Sequence, residues 1–273
     1  MDVVTRPDGK GDRGRPAARP VRDVARELGV PVLTDLAQVR PLQPDLLVWA
    51  AYGQKIPADL LGGRFGGVNV HASLLPRWRG PAPIQAAILA GDPVTGVTLM
   101  KADEGIDTGP LLASRQTEIS PYDDATSLEV RLGEMGGALL EEMLPRYLSG
   151  EITPARQDES KATWSHRLTT AESVLDFHRP AGELRRVVRA ALPRPVARTF
   201  WQGQPLLVWR TRVSDKAEPR EPGRVWLCGD EVCVDTPQKL LVLQVVQPAG
   251  RKQMTGPEWG RGARIGEGAK LPS

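Results

Sequence analysis

The chain has 273 residues and a mass of 29.7 kDa, which suits one large domain or two ordinary ones. Hydrophobic residues make up 40% of it and charged residues 25%, a composition that excludes wholesale disorder. No run of residues approaches the roughly 18 consecutive apolar residues of a transmembrane helix, so we expect no membrane partner.

Cysteine and histidine are scarce. The chain has two cysteines, Cys228 and Cys233, too few to staple a fold of this size, which favours a reducing compartment. The first residues contain no apolar signal-peptide core, so we expect a cytoplasmic protein, and we expect it to be a monomer. The three histidines are scattered along the chain, and we therefore predict no metal site.

The net charge of +3 is unevenly distributed. Residues 1–178 carry 19 Lys and Arg against 24 Asp and Glu, whereas residues 179–273 carry 17 against 9. Such asymmetry favours a polyanionic partner for the C-terminal part, and nucleic acid is the commonest polyanion. A solvated basic surface is the alternative.

Short apolar runs alternate with helical patterns in the first third of the chain, which is typical of a parallel α/β sheet. The strongest helix follows, where Thr126 and Glu129 match a capping box, apolar residues recur on one stripe, and Gly150 ends the pattern. Before that helix, strands are predicted at residues 3–4, 31–33, 45–51, 68–71, 97–100 and 111–119, and helices at 21–28, 56–61 and 81–90.

The pattern changes beyond this helix. Residues 154–171 are polar and aperiodic, which predicts a linker between a domain of residues 1–153 and a second domain of residues 172–273. The Gly-rich tail after Trp259 is predicted to be frayed. The second domain reads as a small barrel or sandwich, since a helix at 181–191 precedes short strands at 206–209, 225–228, 232–234 and 240–246.

Candidate chemistry lies at two strand ends. Asn69 and His71 are two residues apart on a predicted strand, so their side chains share a face, and Asp107 follows another strand. Because ligands of open parallel sheets bind at the carboxyl ends of strands, all three side chains can meet at one rim. There, Asn can donate to a developing oxyanion, His can move protons, and Asp can orient the imidazole, which suits acyl-type transfer. An ordinary core histidine and an ordinary Asp–Gly turn are the alternative interpretation.

Two sequence words carry a family resemblance. Residues 67–76 read GVNVHASLLP and residues 103–109 read DEGIDTG, with Gly-Val-Thr at 96–98 between them. Residue identity, order and spacing resemble the 10-formyltetrahydrofolate-dependent formyltransferase family. The resemblance implies that Asn69, His71 and Asp107 are catalytic and that 10-formyltetrahydrofolate is the co-substrate. It also implies a Rossmann-like α/β domain followed by a small β-barrel that resembles an OB-fold.

Further words are similar to the branch of that family that acts on methionyl-tRNA. They are RWRGPAPIQ at 77–85, YGQ at 52–54, TRPD at 5–8 and QPAG at 247–250. This resemblance implies formyl transfer to the α-amino group of initiator methionyl-tRNA, for translation initiation. One alternative is transfer to a small amine such as an amino-sugar nucleotide, and another is a tRNA-binding protein with impaired catalysis.

The resemblance also implies binding residues. Folate contacts are expected from Tyr52, Gly53, Gln54, Ser73, Leu74, Leu75, Pro76, Asp103, Gly105 and Thr108. Contacts with the tRNA acceptor end are expected from Arg6, Lys10, Arg13, Arg15, Arg77 and Arg79. Among these, Arg13 best matches the key arginine of family members, and the basic C-terminal domain is expected to hold the tRNA body through phosphates.

Members of the family normally have a strand, a small-residue loop and a helix before the stretch that begins here at Val3. Without them, the neighbouring strand of the sheet is expected to have unpaired backbone groups. An unnatural start of the chain, a damaged protein, or another segment that fills the gap would each account for the difference.

Overall fold

The computed structural model describes residues 1–5, 20–216, 218–219 and 221–272. Four predicted tRNA-binding residues, Arg6, Lys10, Arg13 and Arg15, lie outside these ranges. The predicted boundaries of the domains and of the linker remain a prediction. By compactness the chain divides into two units, the first comprising Met1–His71, Leu99–Ala113 and Leu140–Gln157, and the second Ala72–Thr98, Ser114–Leu139 and Asp158–Ser273.

The first strands form parallel pairs. β1 (Val3–Val4) pairs with β2 (Val32–Leu33), and α1 (Pro20–Glu27) lies between them in the chain. β3 (Leu46–Ala50) pairs with β4 (Gly66–His71), so that the carboxyl ends of both strands point the same way. Three short 3-10 helices lie among these strands, at Leu36–Gln38, Arg40–Leu42 and Ala58–Leu61. The third of them stands where a helix was predicted at residues 56–61.

A four-stranded sheet has the order β3-β4-β5-β6, with β5 at Val94–Lys101 and β6 at Leu111–Glu118. β5 is buried along nearly all of its length, as a central strand should be. β4 depends on glycine, because a Cβ at Gly67 would lie 2.6 Å from both the Trp49 ring and Leu61. This strand carries two of the candidate catalytic residues, Asn69 and His71, at its carboxyl end.

The long helix begins in a way that the sequence did not predict. α2 (Pro83–Ala90) ends at Gly91, but α3 (Ala125–Leu148) is not capped by the predicted Thr126–Glu129 box. Asp124 Oδ1 accepts from the backbone N–H groups of Thr126 and Ser127, and Ser127 Oγ accepts from the Asp124 N–H. Thr126 already lies in the first turn, so its own N–H needs the cap that Asp124 provides.

The C-terminal part is built on an antiparallel sheet. Its main path has the order β7-β8-β11-β10-β9, and a short strand, β12, also pairs with β11. The strands are β7 (Ala197–Trp201), β8 (Gln204–Ser214), β9 (Val225–Cys228), β10 (Glu231–Asp235), β11 (Leu240–Pro248) and β12 (Met254–Thr255). One face of α4 (Ala181–Ala190) is buried in the same core, through Leu184, Val187 and Val188.

The tail after Trp259 is more ordered than predicted. α5 (Gly256–Ala263) begins with a capping box of Thr255 and Glu258. Trp259 packs edge-to-face on Trp201 with ring centroids 5.6 Å apart, and Leu271 is buried in the same core. The fold is therefore a mixed α/β arrangement with an N-terminal parallel sheet and a C-terminal antiparallel sheet. None of the described helices combines the length and apolar character that crossing a bilayer requires.

Candidate active site

The three predicted catalytic side chains come together in the first unit. Asn69 and His71 lie at the carboxyl end of β4, two residues apart, so both side chains leave the same face of the strand. Asn69 Nδ2 donates to Asp107 Oδ1 at 3.0 Å, and His71 Nδ1 lies 3.6 Å from Asp107 Oδ2. One carboxylate therefore accepts a hydrogen bond from the amide and lies within ion-pair distance of the imidazole.

The cluster is largely buried. Asn69 and His71 are 7% and 6% exposed, and the Asp107 side chain is 13% exposed. Charges in such surroundings interact more strongly than in water. The three groups can therefore stabilise charge that develops on a ligand in contact with them.

Hydrogen bonds within the loop shape the segment that carries Asp107. Asp103 Oδ1 accepts from the Gly105 N–H at 3.0 Å and from Thr108 Oγ1 at 2.7 Å. The turn requires glycine, since a Cβ at Gly105 would lie 2.0 Å from Thr108 Oγ1. These hydrogen bonds shape the loop that carries Asp107. Contact of Asp103, Gly105 and Thr108 with folate remains a prediction.

A glutamine that the sequence analysis missed closes the same loop. Gln157 Nε2 donates to the carbonyl oxygens of Asp107 at 2.9 Å and Gly109 at 2.8 Å. No periodicity marks this glutamine, and its two partners lie 50 and 48 residues away in the sequence. Only the folded chain brings these groups into contact.

The predicted folate-binding segment after β4 is held by side-chain hydrogen bonds within the second unit. The buried Ser73 hydroxyl donates to the Arg77 carbonyl at 2.6 Å. Thr98 Oγ1 donates to the Ser73 carbonyl at 2.7 Å and accepts from the Leu75 N–H at 3.2 Å. Ser73 and Leu75 therefore serve the geometry of the segment, and their contact with folate remains a prediction.

The remaining predicted folate residues of this segment face an open groove. Leu74 and Pro76 line it together with Arg77 and residues 160–163, and its volume is about 460 Å³. This volume lies within the range of small-molecule sites. The groove therefore offers the second unit an apolar wall with basic groups beside it.

Tyr52, Gly53 and Gln54 lie in the loop directly after β3. Tyr52 is partly buried, Gln54 is exposed, and Gly53 has a φ of 74°, which favours glycine. Because β3 and β4 are parallel neighbours, this loop leaves the sheet at the same edge as His71. The position suits the predicted folate contact, which remains a prediction.

Arg77, a predicted tRNA-binding residue, keeps 46% of its side chain exposed. Its guanidinium forms two hydrogen bonds with Asp92, at 2.6 and 2.8 Å, and lies 4.4 Å over the Trp78 ring. Trp78 Nε1 donates to the same carboxylate at 2.7 Å. Although burial acts to raise it, the bonds from Arg77 and Trp78 hold the pKa of Asp92 below its usual range. A phosphate contact by Arg77 remains a prediction.

Arg79 lies in the interior, and its predicted contact with tRNA remains a prediction. Its side chain is 2% exposed, and its guanidinium donates to both carboxylate oxygens of Glu159, at 2.7 and 2.8 Å. Its backbone N–H donates to the Thr163 carbonyl at 2.9 Å, and its carbonyl accepts from the Ser165 N–H at 2.7 Å. A buried guanidinium needs such a carboxylate partner, so Arg79 fastens residues 159–165 instead of meeting solvent.

Part of the basic charge of the C-terminal half is also used internally. Arg185, Arg186 and Arg189 of α4 donate to backbone carbonyl groups. Burial, together with the nearby Arg185, holds the pKa of Arg189 below its usual range. Some of the N–H groups of these three arginines are therefore occupied by the protein itself. The acceptors are the carbonyl groups of Pro121, Leu89 and Ser120, respectively.

Within the ranges that the structure describes, no group of three or more His, Cys, Asp and Glu side chains could hold a metal ion. The candidate site itself presents an amide, an imidazole and a carboxylate. These groups suit stabilisation of an oxyanion and movement of a proton.

Comparison with known proteins agrees with this chemistry. A family model described as "Formyl transferase" matches residues 3–144, and one described as "Formyl transferase, C-terminal domain" matches residues 167–264. The chain belongs to the formyl transferase family. Methionyl-tRNA formyltransferase of Roseiflexus castenholzii is 40% identical over 99% of this chain and 90% of its own length. The enzyme of the same name from Methylococcus capsulatus is 41% identical over 94% of this chain and 87% of its own length.

Two solved structures share the fold. Methionyl-tRNA formyltransferase from Clostridium thermocellum has a TM-score of 0.56 and 17% identity, covering 80% of this chain and 95% of its own. HypX from Aquifex aeolicus in complex with tetrahydrofolic acid has a TM-score of 0.66 and 19% identity over 88% of this chain. This chain spans 44% of the HypX chain. At these identities the likeness concerns the fold alone.

Proposed function

We propose that this chain transfers the formyl group of 10-formyltetrahydrofolate to the α-amino group of initiator methionyl-tRNA, in translation initiation. The observation that carries the proposal is the convergence of Asn69, His71 and Asp107 within hydrogen-bond or ion-pair distance. The relatives named methionyl-tRNA formyltransferase, which align over nearly the whole chain, support the choice of acceptor.

The acceptor amine needs little activation. An ordinary α-amino pKa of about 7.7–8.0 leaves roughly a tenth of it neutral near pH 7. As its nitrogen attacks the formyl carbon, negative charge develops on the formyl oxygen. The bond from that carbon to N10 of the folate then breaks, and the proton lost by the amine reaches the departing nitrogen. Charge stabilisation and proton movement are therefore the tasks left to the protein.

We assign these tasks to separate groups. An asparagine amide has two N–H bonds, and Asn69 uses one of them for Asp107, so the second serves the formyl oxygen. His71, whose Nδ1 lies within ion-pair distance of Asp107, carries the proton. Asp107 offsets the positive charge of the imidazole while it holds that proton.

Separate residues are assigned to each substrate. Folate contacts fall to the loop of residues 52–54, the segment 73–76 and the Asp107 loop. The tRNA acceptor end falls to Arg77 and to Arg6, Lys10, Arg13 and Arg15. For the tRNA body, the exposed Arg251 and Lys252 in the turn after β11 offer phosphate partners.

We also infer the finer fold classes and the setting of this activity. The parallel sheet is assigned to a Rossmann-like domain and the antiparallel sheet to an OB-type barrel. The protein is assigned to the cytoplasm, where both substrates of the proposed reaction occur. We also assign it as a monomer.

The test is direct. Purified protein is incubated with 10-formyltetrahydrofolate and either methionyl-tRNA or an amino-sugar nucleotide, and formylated product is measured. We expect product with methionyl-tRNA. If product forms only with the amino-sugar nucleotide, that amine and not methionyl-tRNA is the acceptor. Salt-sensitive tRNA binding without any product would identify a tRNA-binding protein.

A further inference from the structure

Asp107 is anchored through its backbone as well as through its carboxylate. The carboxylate meets Asn69 and His71, whereas the carbonyl of the same residue accepts from Gln157 Nε2 at 2.9 Å. The second hydrogen of that amide goes to the Gly109 carbonyl at 2.8 Å. One side chain thus ties the loop on both sides of Thr108.

The backbone at this point needs such a tie. Asp107 has a φ of 54°, in the left-handed region that L-residues seldom adopt. Two residues later, a Cβ at Gly109 would lie 1.8 Å from the Lys101 carbonyl oxygen, so the loop passes close against the strand end. With the backbone restricted in these two ways, the orientation of the Asp107 peptide group determines the direction of its carboxylate.

Gln157 is itself held by its surroundings. Ala155 and Leu111 exchange two backbone hydrogen bonds, at 2.7 and 2.9 Å, which fix the chain two residues before Gln157 to the start of β6. Gln157 Nε2 also approaches Met100 Sδ at 3.7 Å. The amide therefore reaches the loop from a fixed anchor.

We propose that Gln157 is a positioning residue for the formyl-transfer reaction, acting by holding the Asp107 carboxylate against Asn69 and His71. The inference rests on the proposed function, because it assigns Gln157 a part in that reaction. Gln157 touches backbone carbonyls of the loop, and it acts on the reaction through Asp107. Small losses of position at reacting groups are costly, since a shift of about 1 Å can lower a rate about 100-fold.

Two substitutions test the tie. Gln157→Met keeps the length of the side chain and removes both donors, and Gln157→Glu keeps its shape and polarity while replacing the donors by an acceptor. We expect either variant to lower kcat about 10–100-fold, with the KM of each substrate within about threefold of the parent. Gln116→Met, at an exposed glutamine of β6, is the matched control and should stay within twofold.

A double-mutant cycle separates positioning from general structure. In an Asp107→Asn background, Gln157→Met should cost less than twofold, because the group that it positions has lost its charge. A cost as large as in the parent background, or kcat near the parental value in both Gln157 variants, overturns the inference.

A second measurement is independent of activity. Hydrogen exchange of the amides of residues 103–109 should be faster in the folded Gln157 variant than in the parent, and unchanged in the Gln116 control. Unchanged exchange in this loop overturns the inference even when the parent protein formylates methionyl-tRNA. Faster exchange in a protein that formylates no methionyl-tRNA supports the tie and rejects the proposed function alone.

Discussion

The charge of Asp107 can be removed with little change in shape. Asp107→Asn keeps an oxygen that accepts from Asn69, but it removes the negative charge 3.6 Å from His71 Nδ1. At that separation two unit charges interact by about 4–5 kcal/mol at an effective dielectric constant of about 20. Only the part of the imidazolium charge that develops in the transition state affects the rate.

With half or more of that charge developed, the barrier rises by about 2–4 kcal/mol, and kcat falls about 30- to 1000-fold. The assay measures formylmethionyl-tRNA with both substrates saturating, beside thermal unfolding of each protein. Asp59→Asn, which alters an exposed carboxylate bonded to Arg40, is the control and should stay within twofold. If Asp107→Asn unfolds like the parent and keeps kcat within fivefold of it, the electrostatic reasoning is refuted.

Other parts of the molecule make independent predictions. His71→Ala should lower kcat about 100- to 1000-fold with little change in melting temperature, and near-parental turnover would remove the imidazole from the mechanism. Gly109→Ala drives a Cβ to within 1.8 Å of a backbone carbonyl and should lower the free energy of unfolding by about 1–3 kcal/mol. Gly133→Ala in α3, where nothing lies within 4 Å of the new Cβ, should raise the free energy of unfolding by about 0.5–1 kcal/mol. Denaturant titration measures both variants, and equal changes in their free energies of unfolding would contradict both estimates. Arg251→Ala and Lys252→Ala should each reduce the salt dependence of tRNA binding by about one in the slope of log K against log salt, whereas an unchanged slope would place the tRNA elsewhere.

Much of the element order could be predicted because burial leaves a periodic trace. β5, which is buried on both faces, contains the β-prone residues 97–100, and the buried stripe of α3 recurs every three or four residues. The capping box of α3 was misplaced because Thr126 and Asp124 are both good capping residues and only the backbone geometry decides between them. β7 and α5 were missed because Arg198, Thr199 and several glycines interrupt their apolar patterns.

The candidate site divides in the same way. Asn69 and His71 are readable because a strand places residues two apart on one face, and Asp107 is readable from the family resemblance of its loop. The interior position of Arg79 was not readable, since an arginine beside a tryptophan in a loop looks like a surface cation until Glu159 is brought to it.

By itself, the amino-acid sequence determined the family and the alternation of strands and helices, and it indicated the candidate catalytic side chains, because these depend on local spacing and on residue identity. The tertiary structure alone decided which polar groups satisfy one another. Gln157 reaches a carbonyl 50 residues away, and Arg79 meets a carboxylate 80 residues away. Such pairings follow from where the backbone returns in space, and they leave no periodic signal along the chain.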